Sequence, residues 1–205
     1  MAIELSILIP ALFERIHESN MLTTELLRQI GDRNVELLLL TDNRKRSTGL
    51  KRQALLDMSK GRYITHLDDD DWISPTYIED ILAAIAKPEV DVIVFNQTCT
   101  WNNENTFTVR CGLEYINEGM HKDKEGGVWQ DITRKPWHWN VWNARIAHQA
   151  KFPDGYIDDD WYWLKQTIAL CSVQRRIDKT LHLYRYTSDK SASQQGEPTV
   201  TDLTI

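Results

Sequence analysis

The sequence predicts an α/β fold with a mostly parallel central sheet flanked by helices, on three observations. Short, nearly continuous apolar runs at 3–10 (IELSILIP) and 35–43 (VELLLLTDN) end in turn formers, the pattern of strands covered on both faces. Up to residue 96, segments with apolar residues at helical spacing alternate with such runs. An acidic stretch, THLDDDDWISP (65–75), follows a third apolar run, at the strand end where open α/β sheets form their crevice.

Each element has its own signal. The runs 3–10 and 35–43 read as central parallel strands, joined by a helix over 19–32 that offers Ser19 or Asn20 as cap, carries Leu22, Leu26 and Ile30, and stops at Gly31. A helix over 48–61 ends at Gly61, and RYITHL (62–67) is the next strand. Ser74 and Pro75 open a helix over 74–87, followed by strand DVIVFN (91–96). Residues 98–112 read as a hairpin around an Asn-rich turn. From Gly112 to Pro136 the pattern is weak and reads as a loop. Residues 155–170 form a helix and TLHLYRY (180–186) a short strand. The expected organisation is a single domain over 1–187, with a 1–96 half, a 97–187 half, and a flexible tail over 188–205.

At 205 residues the chain is long enough to bury a core without staples. Its net charge of −6 argues against coating nucleic acid or an anionic membrane. The three cysteines, Cys99, Cys111 and Cys171, are widely spaced and odd in number, which suggests reduced thiols. No apolar run approaches the roughly 20 residues of a membrane span, and MAIELSILIP lacks a basic start. A soluble, cytoplasmic protein is the expectation.

Four adjacent aspartates, Asp68 to Asp71, repel one another unless a cation sits among them. Oxygen-only ligands favour Mg²⁺ or Mn²⁺, and Mg²⁺ is commonly shared between carboxylates and a substrate phosphate. The competing reading is a solvated turn before a helix start. A second acidic group at 158–161 (DDDW) has capping as its plain alternative.

SILIP, LLLLTDN, GLKRQALLDMSKGRYITHLDDDDWISP and IDDDWYWLKQ, in that order and spacing, resemble the motifs of family 2 glycosyltransferases with the GT-A (Rossmann-like) fold. The resemblance covers about residues 4–90 well and 155–187 loosely, and it implies an acceptor-side subregion in the C-terminal half. It implies a metal-dependent, inverting transferase that takes a nucleotide-diphosphate sugar, most simply a UDP-sugar. By that resemblance Pro10 and Asp42 flank the base, Arg52 with Lys51 faces base or diphosphate, and Asp68 and Asp69 take the ribose and first D-x-D positions. Asp70 becomes the Mn²⁺ or Mg²⁺ ligand with Asp71 behind it, and Asp160, then Asp159, becomes the general base. The chain departs from the family pattern at Leu12-Phe13, at Lys51-Arg52-Gln53 for A-R-N, at Asp159 for Glu, and at Thr187 for His, where Lys190 is a substitute.

The residue types suit that chemistry independently. A metal beside Arg or Lys stabilises a leaving diphosphate, and a carboxylate within hydrogen-bond reach takes the acceptor's proton. Of eight Trp, six (Trp129, Trp137, Trp139, Trp142, Trp161 and Trp163) cluster on the acceptor side, and Trp137 and Trp139, flanking His138, are the acceptor-binding choices. His121, His138 and His148 read as structural or solvent-facing. The basic loop 44–52 (RKRSTGLKR) reads as solvated, as a diphosphate site, or as a nucleic-acid contact. Glycan, protein, lipid-linked sugar and modified nucleic-acid base all stand as acceptors. The rivals are a nucleotidyltransferase, which would carry a Gly-rich loop after the first strand, and a non-catalytic carbohydrate- or Ca²⁺-binding module.

Overall fold

A computed structural model describes residues 2–101, 105–118 and 130–186. Trp129, His121, Thr187, Lys190 and the tail lie outside the described residues. Strand β1 (Leu5–Leu12) pairs in parallel with β2 (Val35–Asp42) on one side and β3 (Tyr63–His66) on the other. Helix α1 (Ile16–Ile30) connects β1 to β2, and α2 (Thr48–Met58) returns across β1 to β3. Because the two crossovers run in opposite directions along the sheet, right-handedness sends them to opposite faces. The chain therefore parts between the carboxyl ends of β1 and β3, leaving a crevice.

Beyond β3 come β4 (Trp72–Ile73), α3 (Tyr77–Ile85), β5 (Val92–Trp101), β6 (Asn105–Cys111) and β7 (Ile132–Arg134). Strand β8 (Val141–Asn143), the short α4 (Ala144–Ala147), α5 (Asp159–Leu170) and β9 (Gln174–Tyr186) complete the order. The sheet runs β2-β1-β3-β8-β5-β6-β7, with β9 parallel to β5 and antiparallel to β4. Helices α1 and α3 pack together, and α5 packs on α2 and α4.

Several expectations need correction. Strand β2 lies at the sheet edge, not in its centre: among the described residues its one strand neighbour is β1, and Leu39 is 41% exposed. Strand β8, from the C-terminal half, inserts antiparallel between β3 and β5, pairing Ile64 with Trp142 and Val92 with Trp142. Helix α1 starts before Ser19, out of a 3-10 turn at Phe13–Arg15, and Ser19 is buried inside it. Helix α3 starts at Tyr77 after the turn in which Tyr77 N donates to Ser74 O. Helix α2 ends at Met58, and its cap is Ser47, whose Oγ accepts from Leu50 N at 3.2 Å. Strand β9 is longer than the seven residues TLHLYRY because it begins at Gln174 and follows β5.

The core explains most of the tryptophans. Trp142 and Trp163 are fully buried, edge to face at 5.3 Å, and Phe152 stacks on Trp163 at 4.9 Å. Each indole N–H finds a carbonyl, Trp142 Nε1 donating to Trp137 O and Trp163 Nε1 to Ala147 O, as burial demands.

Gly49 seats α2 against the turn that leads into α5. Its N–H donates to Gly155 O at 3.0 Å, and a Cβ there would meet Pro153 O at 1.9 Å and Asp159 Cβ at 3.1 Å. Gly49→Ala is expected to destabilise the protein by about 1–3 kcal/mol, the range for overpacking. Gly155→Ala is the control, since its nearest contact would be an ordinary 3.6 Å. Equal urea midpoints for the two variants would contradict the packing described.

Candidate active site

Two acidic clusters meet over the crevice. The turn after β3 closes with Asp71 N donating to Asp68 O at 3.2 Å. Asp158, at φ 59, turns the chain through the left-handed region that Asp tolerates better than most residues, and α5 begins immediately after it. Arg52, buried on α2, links the clusters: Nη2 donates to Asp68 Oδ1 at 2.6 Å and Nη1 to Asp159 Oδ2 at 2.7 Å.

His138 makes a second link. Its Nδ1 lies 3.1 Å from Asp160 Oδ2 and its Nε2 3.6 Å from Asp68 Oδ2, ion-pair distances without hydrogen-bond alignment. Trp137 Nε1 donates to Asp160 Oδ2 at 3.0 Å and Trp161 N to Asp160 Oδ1 at 2.7 Å.

The charges respond to one another. Burial raises the Asp160 carboxyl, but His138 and Arg52 outweigh it and hold it at about 2. Burial and Arg52 lower the His138 imidazole, yet Asp160 and Asp68 leave it above its ordinary value. Asp68 sits well below the usual range because Arg52 and His138 overcome its burial. Asp70 moves the other way: burial and the Asp71, Asp69 and Asp68 carboxylates push it up to about 7 against the pull of Arg15.

A cavity of about 490 Å³ opens here, lined by Pro10, Arg15, Arg52, Asp68 to Asp70, Trp137 and Asp158 to Asp160. Of the expected donor-site residues, Pro10, Arg52, Asp68, Asp69, Asp70, Asp159 and Asp160 thus converge. Lys51 and Asp42 do not line it. Lys51 is buried, its Nζ donating to Ala11 O at 2.8 Å and lying 3.4 Å from Asp42 Oδ1, so it ties β1 to β2. The basic loop contributes little for the same reason, with Arg44 paired to Glu14 and Arg46 to Asp42. Asp69 is buried and occupied, its Oδ2 accepting from Leu12 N at 2.7 Å and its Oδ1 3.0 Å from Arg15. Asp159 is held by Arg52 with its side chain 4% exposed, whereas the Asp160 side chain is 20% exposed, so Asp160 is the more accessible carboxylate of the pair.

A smaller cavity of about 220 Å³ adjoins the first and shares Asp68, Trp137, Asp160 and Tyr184 with it. Trp139 also lines this cavity, though it is 2% exposed, stacked on His182 at 5.1 Å and tilted on Phe95, so it forms a buried floor. Trp137 borders both cavities, yet its ring carries the Arg134 guanidinium at 3.6 Å and lies nearly parallel to Trp161 at 5.9 Å, which leaves its edge for a ligand. Asp71 lines the smaller cavity, its Oδ2 3.0 Å from His182 Nε2.

Sequence reasoning missed Arg15, His138, Arg134 and His182. Arg15 Nη1 lies 2.9 Å from Asp70 Oδ2 and 3.0 Å from Asp69 Oδ1, so it is a counter-ion of the acidic turn. The one available signal was the proximity of His138 to the two picked tryptophans.

A mixed sheet with helices on both faces, a carboxylate turn at the end of its third strand and a second acidic pair facing it define a GT-A type domain. The sequence profile described as "Glycosyl transferase family 2" matches residues 17–176, and the chain belongs to that family. Glycosyltransferase GlyA of Streptococcus pneumoniae serotype 4 is 23% identical over 172 residues, 78% of this chain and 24% of GlyA. The crystal structure of S. aureus TarS 1-349 superposes with TM-score 0.59 at 12% identity, covering 89% of this chain and 60% of that one. TarS 1-349 in complex with UDP gives 0.53 at 13% identity, covering 91% and 62%. The chain thus spans about a quarter of the curated relative and about three fifths of the TarS structures. Among the described residues no helix is long and apolar enough to cross a membrane.

Proposed function

We propose that this chain transfers a sugar from a nucleotide diphosphate, most simply UDP, to an acceptor hydroxyl with inversion. Asp160 is the general base in this reading. The observation that carries it is the convergence of both acidic clusters and Arg52 on one cavity at the carboxyl ends of β1 and β3. Family membership and the TarS complex with UDP support the donor class.

The residues fit a divalent cation. Asp70 is pushed up to about 7 by burial and three neighbouring carboxylates, a crowding that a cation relieves. Among the described residues no group of three His, Cys, Asp or Glu converges on one point. Mg²⁺ and Mn²⁺ take part of their shell from phosphate and water, so in this reading the nucleotide completes the coordination. Asp70 would hold the ion, which when bound supplies positive charge for the leaving diphosphate. Arg15 and Arg52 line the cavity and add donors for the same charge. Asp160, ionised at neutral pH, accepts the acceptor hydroxyl's proton. The free Cys99, Cys111 and Cys171 support a reducing, cytoplasmic setting.

UDP at about 100 times its dissociation constant, with Mn²⁺, is expected to raise the melting temperature by about 5–10 °C. Asp70→Asn is expected to abolish the Mn²⁺-dependent part. Stabilisation by free glycans with Ca²⁺, and none by any nucleotide, would overturn the reading.

A further inference from the structure

Arg134, in β7, lines the smaller cavity and is, among the described residues, the cation there with no carboxylate at ion-pair distance. Its guanidinium lies 3.6 Å from the Trp137 ring centre and its Nε is buried without a hydrogen-bond partner. Among the described residues no carboxylate lies within ion-pair distance of it. Of the carboxylates of the same cavity, Asp68 pairs with Arg52 and His138, Asp160 with His138 and Trp137, and Asp71 has its Oδ2 3.0 Å from His182 while its buried Oδ1 lacks a hydrogen-bond partner. Cys99 and Cys111 are no counter-ions, since burial pushes both thiols up to about 12. Arg134 is half-buried, and a cation withdrawn from water with an unpartnered Nε is costly in proportion. Burial accordingly pulls the Arg134 guanidinium below its usual value despite Cys111 and Asp160.

We propose that the smaller cavity is a monosaccharide subsite for a sugar ring bearing a carboxylate, with Arg134 as its counter-ion. At about 220 Å³ the cavity is smaller than the ~300–1,000 Å³ usual for larger ligands, a size suited to one sugar ring. A guanidinium 3.6 Å above an indole ring centre is fixed in place while its N–H donors remain suited to the bidentate pairing with a carboxylate that Arg favours. Val109 and Ile132 give the ring an apolar wall, while Asp68 and Asp160 connect the subsite to the larger cavity. The proposal rests on the transferase reading above. The ring is either the donor's sugar or the acceptor's, and these two sources share the chemistry that Arg134 recognises.

Calorimetry on the intact chain with Mn²⁺ separates the sources. One arm compares UDP-glucuronate with UDP-glucose. The other compares methyl glucuronide with methyl glucoside, with and without UDP. The uronate is expected to bind at least tenfold tighter in one arm, the first marking a donor and the second an acceptor. Arg134→Gln is expected to bring that ratio near one, and Arg134→Lys to keep part of it. Equal affinities within both pairs in the wild-type chain would overturn the proposal without needing any variant to fold. UDP binding alongside that equality would leave the transferase reading standing. Loss of all UDP binding with glucuronide preference retained would leave the subsite and remove the transferase.

Discussion

Arg52→Ala is expected to lower stability by about 3–5 kcal/mol, the scale for removing one member of a buried ion pair, and to abolish nucleotide binding. The magnitude follows from what stays behind. Asp159 is buried and Asp68 partly so, and each would lose the only guanidinium paired with it among the described residues while facing the other across the gap. Arg52→Lys is expected to recover little, because one ammonium cannot reproduce the fork that spans two carboxylates. Urea unfolding at neutral pH measures the first effect and UDP calorimetry the second. A variant that unfolds with the wild-type midpoint would mean that the Asp68–Arg52–Asp159 bridge is not structural.

Asp160→Asn is expected to cut transfer by about 10²–10⁴-fold, the range for a general base, with UDP affinity retained. The amide keeps the shape of the carboxylate, and its one oxygen still accepts one of the two hydrogen bonds that Trp137 Nε1 and Trp161 N give to separate oxygens of Asp160. The pH profile follows from the neighbours. At about 2 the Asp160 carboxyl is ionised throughout the usual assay range, so no acid limb there belongs to it. His138 carries its proton to a pH above its ordinary 6.5. As it deprotonates, Asp160 loses the charge that suppresses its basicity, and the wild-type rate is expected to rise with pH through that point. His138→Gln is expected to flatten the rise. Full turnover by Asp160→Asn would remove it from the base role.

Arg52 and Lys51 show where sequence reading reaches its limit. Both were legible as cations beside the donor, but adjacent helical residues point about 100° apart, and the rotation of α2 puts Arg52 in the cavity and Lys51 against Ala11. The strand and helix alternation, the acidic turn and the pair at Asp159 and Asp160 were readable because local periodicity and composition encode them. His138 was not readable, since it reaches Asp68 and Asp160 only through the long-range packing around β8. Arg134 was equally silent, being a lone cation on a three-residue strand whose register depends on β6.

The insertion of β8 between β3 and β5 bears on how such enzymes diversify. A three-residue finger from the later portion serves as a shared wall for the earlier one, so the two portions are interlocked rather than stacked like cassettes. Chimeras that graft a relative's acceptor region after residue 96 would have to carry this finger intact. Substitutions that preserve the sheet are therefore better tolerated in the loops around this finger than within it.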